Sequence, residues 1–293
     1  MANQAAKLKE IVNEKNREAI LKGMNSNART IAVASGKGGV GKSTFTANFA
    51  YQLSKIGKKV LVIDSDIGMA NLDILLGVQP SYDLGHLLRG ECSLEDALVE
   101  GPAGIKLLSG ITGDDSFINV QNKTVHKLMN IGAELEKDFD FVLIDLGAGA
   151  SQNIISTILA AEELIMILTT EPTSIMDSYS LIKILSNHDY KRSVNILINQ
   201  SEKKSQADKI SKRMKKTVAR YLELELDVLG IIAYDRNMSK AVHKQELFCE
   251  IYKNSDAAKE IERIAYQLTG EKKQRAGIKS YFFKMLGFLK KNN

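Results

Sequence analysis

The sequence predicts an α/β fold, a mostly parallel sheet with helices on both faces, carrying a helical extension at each end. Three observations carry this reading. Short apolar runs recur along the chain and are continuous rather than alternating, as strands covered on both faces should be. Helix-compatible stretches separate them, and right-handed crossovers would place those helices on both sides of the sheet. A glycine-rich loop joins the first run to the first helical stretch, the context that binds phosphate.

The runs, in order, are TIAVAS from 30, KVLVID from 59, IKLLS from 105, DFVLID from 140, ELIMILT from 163, VNILIN from 194 and VLGIIA from 228. Helical patterns include residues 43–56 and 178–186. The chain has no repeat, no low-complexity linker and only 3 prolines in 293 residues. One domain spanning 29–270 therefore fits better than two. Ahead of it, residues 1–28 form an arm: Leu8, Ile11 and Val12 make a helical stripe, and Gly23-Met24-Asn25-Ser26-Asn27 separates it from the first strand. Behind it, residues 271–293 form a tail.

Composition narrows the class. A hydrophobic content of 44% is enough for a full core. Two cysteines, Cys92 and Cys249, are too few for a disulfide framework or zinc site, so a reducing compartment is expected. The N-terminus lacks the apolar run of a secretory signal, and no stretch approaches the roughly 18 apolar residues of a spanning helix. The expectation is a cytoplasmic protein. Net charge is +5, but from Gly270 to Asn293 seven basic side chains face one acidic one, Glu271, which leaves the body near neutral. A basic end on a neutral body points to an anionic partner for the tail.

The glycine-rich loop reads SGKGGVGKST, and Gly36 to Ser43 satisfies the phosphate-loop pattern. Backbone N–H groups of Gly36, Gly38, Gly39, Val40, Gly41 and Thr44 would converge on phosphates, Lys42 would neutralise the β and γ charges, and the Ser43 hydroxyl would ligate Mg²⁺. Two strands end in aspartate, where parallel sheets place their ligands. Asp145 fits the Mg²⁺ shell through water, Asp64 supports it, and Asp66 would orient an attacking water. A single strand-ending aspartate is more often a helix cap; two beside a phosphate loop are better explained by magnesium and water. Lys37 is surplus, because the pattern needs only one lysine.

SGKGGVGKST, VLVIDSDIGMANLDILLG, FDFVLIDLGAG and TTEPTSIMDSYSLIKIL resemble the deviant phosphate-loop ATPases of the MinD/ParA class, over roughly residues 29 to 270. The resemblance implies a P-loop NTPase fold, ATP and ADP as ligands with Mg²⁺, and a homodimer closed by ATP. It implies that Lys37 reaches the partner's ATP in trans, stabilising transferring phosphoryl charge as an arginine finger does. It also implies that Asn199 bonds the adenine and that Gly147 offers its N–H to the γ-phosphate. Two departures stand out: Leu146 replaces a small polar residue after Asp145, and Ala233 stands where the class has Ile-Pro.

Three features bear on the subfamily. In the tail, Ile278, Tyr281, Phe282, Met285, Leu286 and Leu289 form a continuous apolar face, widened by Phe283 and edged by Lys279, Lys284, Lys290 and Lys291. Such a helix suits an anionic membrane surface. The other reading is a final helix packed on the protein's own core, and the two can hold in turn. In the arm, NQAAKLKEIV resembles the DQAxxLR motif of the FlhG subfamily, regulators of flagellar number and placement, retaining Gln4, Ala5 and Leu8. There the motif stimulates a GTPase of the signal-recognition-particle type, FlhF, and flagellar switch proteins are a further partner class. The resemblance thus implies an ATPase peripheral on the inner face of the cell membrane in its ATP state. The third feature is a helical series of Lys209, Lys212, Arg213, Lys216 and Arg220. It reads as a solvated face, or as a surface for DNA in a ParA-like partitioning ATPase, which the lipid-suited tail disfavours. A cell-division MinD is the remaining alternative.

Overall fold

The structure is a computed structural model that describes residues 28–66, 71–110, 130–132, 134–270 and 277–291. Among the described residues, eight strands form one sheet in the order β3-β4-β2-β5-β1-β6-β7-β8. They are β1 (Arg29–Ser35), β2 (Val60–Ser65), β3 (Leu98–Glu100), β4 (Lys106–Ser109), β5 (Phe141–Ala148), β6 (Glu163–Leu168), β7 (Val194–Ser201) and β8 (Leu226–Ala233). All neighbours are parallel except β3, which runs antiparallel to β4 at the edge. The seven runs in the sequence match seven of these strands. The eighth, β3, has only three residues, none of them buried, so it lacks the apolar signature of its neighbours.

The principal helices are α1 (Lys42–Lys55), α2 (Gln152–Ala160), α3 (Pro172–Asn187), α4 (Lys204–Leu222), α5 (Asp256–Thr269) and α6 (Gly277–Lys291). α3 begins six residues ahead of the expected helix, because Pro172 at its first position fixes a helical φ without losing a needed N–H. Strand pleating sorts the core into two layers. On one side Ile31 and Val33 of β1 pack with Phe45 and Phe49 of α1 and Ile261 and Ile264 of α5. On the other, Ala32 and Ala34 share a cluster with Ile154 and Ile158 of α2, Leu181 of α3, Met214 of α4, and Ile278, Tyr281 and Phe282 of α6.

The last helix therefore lies on the protein's own core, against α2 and β1. Alanines at 32 and 34 leave depth on this face for the two aromatic rings, which are fully buried. Each large side chain so buried contributes about 1.5–3 kcal/mol to keeping the helix down. The start of β1 is tied to the helix that precedes the tail: buried Arg29 forks onto Glu163 at 2.7 and 2.8 Å, donates to the Leu268 carbonyl at the end of α5, and stacks on Phe141.

Candidate functional site

β1 ends at Ser35 and α1 starts at Lys42, and the six residues between them turn the chain over the end of the sheet. Gly36 lies against the backbone of α3, where a Cβ would fall 2.3 Å from the carbonyl carbon of Asp177. Gly41, at φ +85°, is the N-cap of α1. No side chain caps that helix start, so its first N–H groups are left for an anion. Gly38, Gly39, Val40, Gly41, Lys42, Ser43 and Thr44 line a cavity of about 1130 Å³, large enough for a nucleotide.

Charge under the loop is tightly arranged. Lys42 Nζ lies 3.1 Å from Asp145 Oδ1, with both residues buried, and 3.4 Å from Ser43 Oγ. Thr46, one turn after Lys42, donates its hydroxyl to the same carboxylate oxygen at 2.9 Å. Burial pushes the Asp145 carboxyl above its usual range, against the lowering effect of Lys42. Its other oxygen, Oδ2, is buried and has no hydrogen-bond partner. Asp64, opposite Asp145 in the β2–β5 register, is also shifted upward, by burial first, while the N–H groups of Asp66, Leu72 and Asn71 pull it down and Asp145 adds repulsion. Its two oxygens accept those three N–H groups at 3.2 Å, so in this state it works as a cap for the chain after β2.

These residues fit a magnesium ion. The orphaned Asp145 Oδ2 and the Ser43 hydroxyl are hard oxygen donors, the kind that magnesium takes alongside the several waters it keeps. Asp66 and Gly147 also line the cavity and face each other: a Cβ on Gly147 would fall 3.0 Å from Asp66 Oδ1.

The structure separates Lys37 from that group. Its Nζ pairs with Glu171 Oε2 at 2.7 Å and Thr173 Oγ1 at 3.1 Å, at the start of α3, and it does not line the cavity. Asn199, at the end of β7, is buried and donates Nδ2 to the Val40 carbonyl at 2.8 Å. Several contacts around the loop had no sequence signal, because their partners lie over a hundred residues apart. Glu171 and Thr173 under Lys37, and Gln200 beside Gly39, are of this kind.

The tail reaches the same cavity. Tyr281, Phe282 and Met285 line it together with Leu146, Ser151 and Thr157. Tyr281 bonds Thr157 on α2, and burial raises its phenol well above the ordinary value. Phe283 is half-buried, and Leu286 and Leu289 lie further along α6. Leu146, the departure after Asp145, is buried in the cluster that seats the tail. Lys209, Lys212, Arg213, Lys216 and Arg220 are exposed on α4, whose opposite face buries Ala207, Met214 and Val218. The arm residues Gln4, Ala5 and Leu8 lie outside the described residues.

Residues 31–248 match the CobQ/CobB/MinD/ParA nucleotide binding domain family. The chain is 31% identical to the antiactivator FleN of Pseudomonas aeruginosa over 82% of its length and 86% of that protein. It is 30% identical to the flagellum site-determining protein YlxH of Helicobacter pylori, over 99% of this chain and all of that one. Among solved structures it resembles the septum site-determining protein MinD of Pyrococcus horikoshii complexed with Mg-ADP, with a TM-score of 0.65 and 26% identity over 82% of this chain and 96% of that one.

Proposed function

The chain belongs to the CobQ/CobB/MinD/ParA nucleotide-binding family, and from that premise we propose that it is an ATP-dependent, dimerising ATPase that moves between cytoplasm and membrane to regulate flagellar number and placement. The observation that carries the nucleotide-controlled part is the shared cavity, lined by the phosphate loop on one side and by Tyr281, Phe282 and Met285 on the other. The flagellar assignment rests on similarity to FleN and YlxH over most of the chain.

In this reading the loop N–H groups and Lys42 hold the β and γ phosphates, and Asn199 meets the adenine. Ser43 and Asp145, with Asp64 behind, would hold magnesium, which would offset phosphate charge. Asp66 positions water, and the Gly147 N–H meets the γ-phosphate. Lys37 leaves Glu171 and Thr173 when a second subunit closes, and stabilises charge on that subunit's ATP. Hydrolysis then depends on positioning and charge stabilisation rather than covalent chemistry. Residues 1–28 act as the arm that stimulates an SRP-type flagellar GTPase. Within the tail, residues 271–293, helix α6 leaves its seat, and the tail enters an anionic membrane through Ile278, Tyr281, Phe282, Phe283, Met285, Leu286 and Leu289. One such helix binds weakly, while two on one dimer raise avidity by about 10² or more.

Sedimentation with anionic vesicles tests this. Binding is expected with ATP, little with ADP, and none after deletion from Gly277. Equal sedimentation in both nucleotides would defeat the switch, and unchanged sedimentation of the deletion would defeat the tail. The exposed basic face of α4 supports a second reading, DNA binding in the ATP state. Salt-sensitive retention on DNA without lipid would favour it.

A further inference from the structure

The end of β7 does something that base recognition alone does not require. β7 and β8 pair, with one shift after Ile196, as far as Ile198↔Ile231 and again at Ser201↔Ala233, and the second shift, between those two pairs, releases Asn199 and Gln200 from the ladder. Gln200 takes a left-handed conformation, φ +55°. A glutamine rarely adopts it unless its surroundings hold it there. Both released side chains turn to the phosphate loop. Asn199 Nδ2 donates to the Val40 carbonyl at 2.8 Å in a buried bond, and Gln200 Nε2 reaches the Gly39 carbonyl at a longer 3.5 Å. The approach is so close that a Cβ on Gly41 would meet Asn199 Nδ2 at 2.5 Å and Gln200 Nε2 at 3.4 Å.

A phosphate cradle works only if successive N–H groups point at the anion, and each carbonyl that turned inward would set a negative oxygen against it. We infer that Asn199 and Gln200 form a two-amide brace that holds the Val40 and Gly39 carbonyls turned away from the phosphate cavity, making them positioning residues for the triphosphate. The inference rests on the reading of this loop as a nucleotide site. It also fixes the Asn199 amide: with Nδ2 engaged on Val40, Oδ1 is the free atom, an acceptor suited to the exocyclic amine of adenine. Base and phosphate recognition then share one side chain, and a change at either end is felt at the other.

The test separates the brace from a plain base contact by using a ligand with no base. Calorimetric titration of the full chain with magnesium tripolyphosphate and with magnesium ATP should show Asn199→Ala weakening both, by roughly tenfold. Gln200→Gly should raise the melting temperature, because glycine relieves the left-handed strain, while weakening tripolyphosphate by a few-fold. A residue with only a structural role would move stability and affinity in the same direction. Loss of ATP affinity in Asn199→Ala with tripolyphosphate binding unchanged would overturn the brace. Unchanged tripolyphosphate affinity in Gln200→Gly would remove Gln200 from it, and an unmodified chain that bound neither ligand would overturn the nucleotide-site reading itself.

Discussion

The phosphate loop and the last helix face one cavity, but they are held there by different forces. The loop is fixed by close backbone packing at Gly36, by the buried Lys42–Asp145 pair and by the amide of Asn199. The helix is held by apolar burial and the Tyr281–Thr157 bond, with two polar mismatches among its described residues. Ser280 is buried with its hydroxyl unpaired, and burial together with the Arg192 charge lowers the pKa of Lys284. A cradle assembled in advance beside an imperfectly seated helix is the arrangement in which a ligand entering the first can expel the second. It also requires that changes on the two sides be separable.

The largest effect expected is at the loop's surplus lysine. Lys37→Ala should bind ATP at near-parental affinity yet lose turnover by about 10³-fold or more, the scale of a missing finger residue. Turnover at the parental rate would remove Lys37 from the chemistry. Asp66→Ala should slow hydrolysis while leaving dimerisation intact, and light scattering that showed a monomer with ATP would rule out a role confined to water. On the helix side, Phe282→Glu places a charge in the apolar seat and should undock α6 at a cost of several kcal/mol. Protease sensitivity after residue 270 reads this directly, while tripolyphosphate affinity should not fall; a fall would mean the two regions are one unit.

Two smaller effects probe the mismatches. Ser280→Ala removes an unpaired buried hydroxyl and should tighten docking by about 1 kcal/mol, seen as slower exchange of the helix amides. Lys284 sets a pH dependence. Its docked pKa is lower than its free value, so its charge opposes docking at all pH values below the docked pKa. Docking should strengthen as pH rises through that value towards the ordinary lysine range, and Lys284→Met should abolish the slope. Glu162 faces the same lysine and works against the shift, so Glu162→Gln should steepen it.

The same contrast marks what could be read from sequence. The loop and the strand-ending Asp64 and Asp145 were legible because phosphate binding is encoded in consecutive residues and in continuous buried runs. The amphipathic period of residues 278–289 announced a helix with one apolar face. It could not say whether lipid or protein covers that face, since Ala32, Ala34 and Ile154, which seat it, lie more than a hundred residues away. Glu171 beneath Lys37 and Gln200 beside Gly39 were invisible for the same reason: an ion pair or a left-handed residue has no local pattern. The short strand β3 carries no run of the kind that marks its neighbours, because none of its three residues is buried.

The central claim is that the ATP-closed state and the docked tail exclude one another at their shared cavity. Hydrogen exchange of residues 277–291, measured without lipid in the nucleotide-free, ADP and ATP states, tests it most directly. The account predicts protected amides without nucleotide and with ADP, and protection lost when ATP closes the dimer. Equal protection of α6 in ADP and ATP, with dimerisation confirmed in the same samples, would contradict it.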